Sequence, residues 1–125
     1  MPELPSDPDQ LVRAFIEAFA RHDVDEMVSF FTDDAVYHNV PIDPCVGKDQ
    51  IREFLAGLPA SGIDMVSLEI HHQATAGNVV MNERTDTLTV GGNTVALPVA
   101  GVFEIEGGRI KRWSDYFDMG QFTAG

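Results

Sequence analysis

Three short stretches of this chain hold side chains that could move protons. In NERTDTL, residues 82–88, Arg84 and Asp86 lie two positions apart. Strand side chains alternate between faces, so Asn82, Arg84, Asp86, Leu88 and Val90 would share one side. The other side would carry Val79, Met81, Glu83, Thr85, Thr87 and Thr89, and is no more apolar. A wet sheet face bearing an ion pair would look like this, and so would one wall of a polar cavity. In RWSDYFD, residues 112–118, Asp115 shares a strand face with Trp113 and Phe117. A carboxylate between two aromatic rings is either a cap or ion pair near the chain end, or a group in an apolar hollow that sets its proton affinity. In AVYHNV, residues 35–40, Tyr37 and Asn39 share a face. A hydroxyl and an amide at that spacing can hold one water between them, or can be a core-edge tyrosine beside a turn-forming asparagine.

Other chemistries find less support. His22, His71 and His72 have no metal-ligand spacing, and the adjacent pair 71–72 would point to opposite faces. His38 alternates away from Tyr37 and Asn39. Cys45 has no neighbouring cationic cluster to make it a nucleophile. Glycine-rich nucleotide-binding motifs are absent. Arg109, Lys111 and Arg112 form the one basic cluster, which reads as the solvated flank of a hairpin.

The elements that must position these residues follow from periodicity. Ser6 or Asp7 can cap a helix with Pro8 in its first turn, and Leu11, Val12, Phe15, Ile16 and Phe19 make its apolar stripe. His22-Asp23 ends it. A second short helix fits Val24 to Phe31. A strand follows at Ala35 to Val40, then a loop from Pro41 to Gly47 and a third helix from Lys48 to Leu58. Beyond this, Asp64 to Ala76, Val79 to Val90, Thr94 to Glu106 and Arg109 to Asp118 are strand-like, separated by GN, GGN and GG hairpin signals. Helices followed by a four-strand meander predict an α+β fold, with N-terminal helices packed on a strongly curved, mostly antiparallel sheet. Such a cone encloses a pocket suited to a small molecule.

With 125 residues, the chain suits a single domain (1–125), with a fraying lead over residues 1–6. Its net charge of −12 disfavours nucleic acid and anionic membrane surfaces as partners. One cysteine, no apolar run of membrane-spanning length and an acidic N-terminus fit a cytoplasmic protein.

The ordered set YHN (37–39), ERTD (83–86) and GVFEIEGGRIKRWSDYFD (101–118) resembles the limonene-1,2-epoxide hydrolase family. That family sits within the cone fold shared by nuclear transport factor 2, ketosteroid isomerase and SnoaL-like proteins. The resemblance covers nearly the whole chain. It implies Tyr37, Asn39, Arg84, Asp86 and Asp115 as the catalytic site, no metal or organic cofactor, and a homodimer. It departs from the family at His38, in the loop PIDPCVG and in a short N-terminal lead, which touch the choice of substrate rather than the chemistry.

The implied reaction adds water to a small apolar epoxide to give a vicinal diol. Water needs a base, and the epoxide oxygen needs an acid. Two carboxyls in one dry cavity tend to hold a single proton between them, and an arginine fork can fix their arrangement. The resemblance makes Asp115 the base and Asp86 the acid, bridged by Arg84; the residues alone permit the reverse. Arg84 and Asp86 then share a face because it lines the cavity. Asn82 falls one pleat towards the rim and Leu88 in the apolar wall, with Phe15, Phe31, Leu55, Leu58, Leu97, Val99 and Phe117 as further wall candidates. An isomerase or cyclase on the same fold, or a non-catalytic ligand-binding dimer, are the alternatives.

Overall fold

The computed structural model describes residues 3–124. Asp7 caps helix α1 (Pro8–Ala20), its carboxylate accepting from the Gln10 amide, with Pro8 in the first turn where a missing N–H costs nothing. The expected stripe is buried: Leu11, Val12, Phe15, Ile16 and Phe19. Asp23 caps α2 (Val24–Val28) through the Glu26 amide. This helix is shorter than the periodicity predicts. Phe30 and Phe31 are claimed by the sheet instead, since the Ile110 amide donates to the Phe30 carbonyl and Phe31 pairs with Ile110. Strand β1 therefore runs Phe31–Asn39, earlier than expected. The expected loop contains a two-residue strand, β2 (Cys45–Val46), paired back on β1. Helix α3 spans Lys48–Gly57 and a short 3-10 turn follows at Pro59–Ser61.

The meander is β3 (Ile63–Ala76), β4 (Val79–Val90), β5 (Asn93–Glu106) and β6 (Arg109–Tyr116). Among the described residues the strands form one sheet in the order β2-β1-β6-β5-β4-β3. Only the β1–β6 pair is parallel, so the sheet is mostly antiparallel as expected. Two register shifts in β3, between Met65 and Ser67 and between Ile70 and His72, bend that strand. They also change the parity of its inward face, which becomes Ile63, Met65, Leu68, Ile70 and Gln73. His71 and His72 are consequently both exposed, beside Thr85 and Glu83, rather than on opposite faces.

Helix α1 lies across the curved sheet, and Phe15 meets the rings of Phe30, Phe31, Phe103 and Trp113 at centroid distances of 4.9 to 6.4 Å. A short helix, α4 (Met119–Ala124), ends the described chain and has no counterpart in the sequence reading. Of the expected fraying lead, residues 1 and 2 lie outside the described residues, and Leu4 packs against the core.

Candidate active site

The polar residues meet because four strands bring them into register. Asn82 on β4 pairs with Gly101 on β5, and Gly101 pairs with Asp115 on β6. Asp115 in turn lies beside Asn39 on β1, and Trp113 beside Tyr37. Arg84 must reach from β4 across β5 to β6, about 10 Å at ordinary strand spacing. Gly101 lets it do so. A Cβ at this position would fall 2.5 Å from Arg84 Nη1 and 2.9 Å from both Asn82 Oδ1 and Asp115 Oδ1. A glycine inside an otherwise apolar run, VALPVAGVF, is the sequence signal for such a close approach.

The Arg84 side chain is fully buried and all five of its N–H groups are used. Nε and Nη2 donate to the two oxygens of Asp86 at 3.0 and 2.9 Å. Nη1 and Nη2 donate to the two oxygens of Asp115 at 3.2 and 2.8 Å. The remaining Nη1 donor goes to Asn82 Oδ1 at 3.0 Å. Trp113 Nε1 adds a bond of 2.6 Å to Asp115 Oδ1. Tyr37 stacks on Trp113, with ring centroids 4.1 Å apart, and its hydroxyl donates to Asn39 Oδ1 at 3.2 Å.

Burial sets the electrostatics. One guanidinium faces two carboxylates, so the cluster carries net negative charge when both are ionised. Burial raises the Asp115 carboxyl above its ordinary value of 3.8, with Arg84 pulling the other way and Asp86 adding to the rise. Burial also works against the Arg84 charge, but Asp115 and Asp86 outweigh it and keep the guanidinium protonated. The Tyr37 phenol is pushed up by burial and by the Asp115 charge, so its hydroxyl stays a donor.

Above the cluster opens a cavity of about 430 Å³. Tyr37, Asn39, Asp86, Trp113 and Asp115 border it, while Arg84 and Asn82 do not. The two carboxylates thus face the cavity and the arginine holds them from behind. The walls are apolar, with Met65, Leu68, Leu88, Leu97, Val99 and Phe117 among them.

The sequence model of the limonene-1,2-epoxide hydrolase catalytic domain matches residues 6–124. The chain belongs to the limonene-1,2-epoxide hydrolase family. That membership makes it an epoxide hydrolase. It is 36% identical over 108 residues to epoxide hydrolase EphG of Mycobacterium tuberculosis, covering 86% of this chain and 71% of that one. The structure of an epoxide hydrolase of this type from M. tuberculosis superposes with a TM-score of 0.79 at 34% identity, over 90% of this chain and 84% of the other. A protein from Burkholderia pseudomallei described as resembling nuclear transport factor 2 superposes with a TM-score of 0.86 over 96% and 97% of the two chains. At 23% identity it shows the shared fold alone.

For this member of the limonene-1,2-epoxide hydrolase family, four of the five residues singled out in the sequence, Tyr37, Asn39, Asp86 and Asp115, border one cavity, and the fifth, Arg84, binds the two carboxylates from behind. The wall expectations need correction. Leu58, Leu97, Val99, Phe117 and Leu88 border the cavity, but Phe15, Phe31 and Leu55 do not. Those three pack in the core beneath α1 and α3. Asn82 lies on the closed side of Arg84, not towards the rim, because the open end of β4 is the Leu88 end. His38 stays outside the site, its Nε2 3.0 Å from the Ile42 carbonyl. Cys45 is half-buried, and burial pushes its thiol up, away from a reactive thiolate. Among the described residues no helix is long and apolar enough to cross a membrane, and no cluster of His, Cys, Asp or Glu could hold a metal ion.

Proposed function

We propose that this protein adds water to a small, uncharged, apolar epoxide in one step, with Asp115 as general base and Asp86 as general acid. The reading is carried by one observation: two buried carboxylates share one guanidinium at the floor of an apolar cavity. Asp115 lies on the strand next to Asn39, so a water held by Tyr37 and Asn39 would meet it. As the water oxygen bonds to an epoxide carbon, its proton passes to Asp115. The carbon–oxygen bond breaks, and the leaving oxygen takes the proton of Asp86. Turnover leaves Asp115 protonated and Asp86 ionised, so one proton returns through water before the next cycle. Arg84 touches neither reactant and fixes both carboxyls. Burial strengthens Asp115 as a base, because its proton affinity lies above that of a solvated carboxylate.

Glu53, Asp86 and Asp115 are the charged side chains bordering the cavity among the described residues, and all are acidic. A substrate bearing a carboxylate or phosphate would therefore be repelled. On the family resemblance, we read the 125 residues as one folding unit of a cytoplasmic homodimer. Light scattering and a single unfolding transition would test this.

The decisive experiment screens cyclic terpene, cyclohexene and styrene-type epoxides for diol formation. Asp115→Asn and Asp86→Asn should each lower kcat by about 10²–10⁴-fold with the fold intact. In a single turnover in heavy-oxygen water, the label should appear in the diol. Label on an aspartate would indicate an ester intermediate instead, and substantial activity in either variant would remove that residue from the mechanism.

A further inference from the structure

The proposed reaction uses two of the three groups that Arg84 binds. The third, Asn82, is 6% exposed and does not border the cavity, so it contacts no substrate. Its Oδ1 accepts the one Arg84 donor that no carboxylate takes. An amide can do this in one orientation only. Turned over, it would present N–H groups to a guanidinium and strand a buried donor.

The orientation is fixed from the other side. Asn82 Nδ2 donates to Gln73 Oε1 at 3.1 Å. Gln73 Nε2 donates to the Asp9 carbonyl at 3.1 Å and to Asp9 Oδ1 at 2.8 Å. Both of these groups only accept, so Gln73 cannot turn its amide without losing two bonds, and its oxygen is left facing Asn82. Asp9 also accepts from Arg13 Nε at 3.2 Å. The Gln73 bond is the main reason that the Asp9 carboxyl lies below its ordinary value. A chain of hydrogen bonds with one direction thus runs from Arg84 on β4, through Gln73 on β3, to the first turn of α1. The second register shift in β3 makes it possible, since simple alternation from Ile70 would turn His72 inward in place of Gln73.

We propose that Asn82 is a positioning residue of the Arg84–Asp86–Asp115 cluster, held in its working orientation by Gln73 and Asp9. Asn82 adds a neutral third acceptor. It saturates the guanidinium without a third negative charge, so the two carboxylates keep their bidentate hold. The groups facing Asp115 are Arg84 and Asp86 from β4, Tyr37 from β1 and the Trp113 N–H of its own strand. An added charge at position 82 would reach Asp115 through Arg84. The kinetic part of this proposal rests on the epoxide-hydrolase reading; the titration part does not.

The test compares Asn82→Asp, Asn82→Ala, Gln73→Leu, Asp9→Ala and the Gln73→Leu/Asn82→Ala double variant. Asn82→Asp has nearly the same shape and should move the acid limb of kcat/KM to higher pH. Asn82→Ala should lower kcat about tenfold, the consequence of one stranded donor, with KM held within about twofold. Gln73→Leu should lower kcat in the same sense by less, and Asp9→Ala by less again, because the Asp9 carbonyl still accepts. The double variant should be no worse than Asn82→Ala, as expected for residues acting through one another. Losses that multiply, or an Asn82→Asp profile that stays in place, would overturn the proposal. If Asn82→Ala fails to fold, Gln73→Leu and Asp9→Ala, at the half-exposed end of the chain, decide it. Carboxyl-carbon NMR of Asp115 in the ligand-free protein gives a readout without turnover: Asn82→Asp should raise its titration midpoint, and an unchanged midpoint would refute the coupling. If no epoxide is opened by the wild type, the proposed function falls while this titration still settles the role of Asn82.

Discussion

The inward side of the cone has two apolar ends separated by a polar belt, and the ends are built differently. On β4 the inward residues run Val80, Asn82, Arg84, Asp86, Leu88; opposite them on β5 run Phe103, Gly101, Val99, Leu97, Val95. At the Val80–Phe103 end, α1 drives Phe15 and Phe19 against Phe31, Phe103 and Trp113, and the space is filled with rings. At the Leu88–Val95 end, the aliphatic side chains have Phe117 and Phe122 packed against them but leave the cavity open. One sheet face thus serves as core where α1 packs against it and as binding wall where α3 and α4 stand off from it around the cavity. The charged belt sits at the boundary, shielded from water behind and open to a ligand in front.

The comparison would be broken most severely at the filled end. Phe15→Ala should cost about 3–5 kcal/mol of unfolding free energy, measured in denaturant, because a ring surrounded by rings leaves a cavity that cannot collapse. The belt comes next. Gly101→Ala puts a methyl where the guanidinium crosses β5. It should cost about 1–3 kcal/mol in stability through overpacking. Its effect on kcat should be disproportionate, on the order of 10²-fold, since a small displacement of Arg84 misplaces both carboxyls. At the open end, Leu97→Ala removes a wall residue that already faces empty space, so its stability cost should sit near the bottom of the range for buried leucines, about 2 kcal/mol. Its main signature should be a shift in preference towards bulkier epoxides, read as a ratio of kcat/KM values. A Leu97→Ala variant as unstable as Phe15→Ala would show that the two ends do not differ.

The difference between the ends also marks what the sequence could convey. Strict alternation in β4 placed Asn82, Arg84, Asp86 and Leu88 on one face correctly, and no register shift intervenes there. In β3 the same rule fails, because two register shifts reset the parity, and nothing in IDMVSLEIHHQATA announces them. Tyr37, Asn39 and Asp115 were legible as pairs of neighbours, but their meeting depends on a parallel β1–β6 pairing that local pattern does not encode. Phe15, Phe31 and Leu55 look like pocket wall in sequence for the same reason that Leu97 and Val99 do: apolar residues facing inward are alike until the helix that covers some of them is placed. Gly101 carried a readable signal as a mid-strand glycine, whereas Trp113 gave no hint that its N–H would hold Asp115.

The smallest expected effect is one of pH, and it separates the belt from both ends by its sign. Burial raises the Asp115 carboxyl above 3.8, while in the unfolded chain it titrates as an ordinary carboxylate. Between those two values the native state binds the extra proton. Stability from this group is therefore greatest below 3.8 and declines as pH rises through the folded value. Activity must run the other way, because the base works only when ionised. As pH falls into that window, kcat/KM should drop, while the melting temperature of the wild type should rise relative to that of Asp115→Asn. The difference between the two proteins removes the contributions of partly exposed acids such as Asp9 and Glu26, whose lowered values give the opposite trend. No apolar substitution at either end of the cone should bend these two curves in opposite directions. Parallel curves, with activity and relative stability falling together, would mean that the proton is taken up elsewhere and that Asp115 is not the buried base.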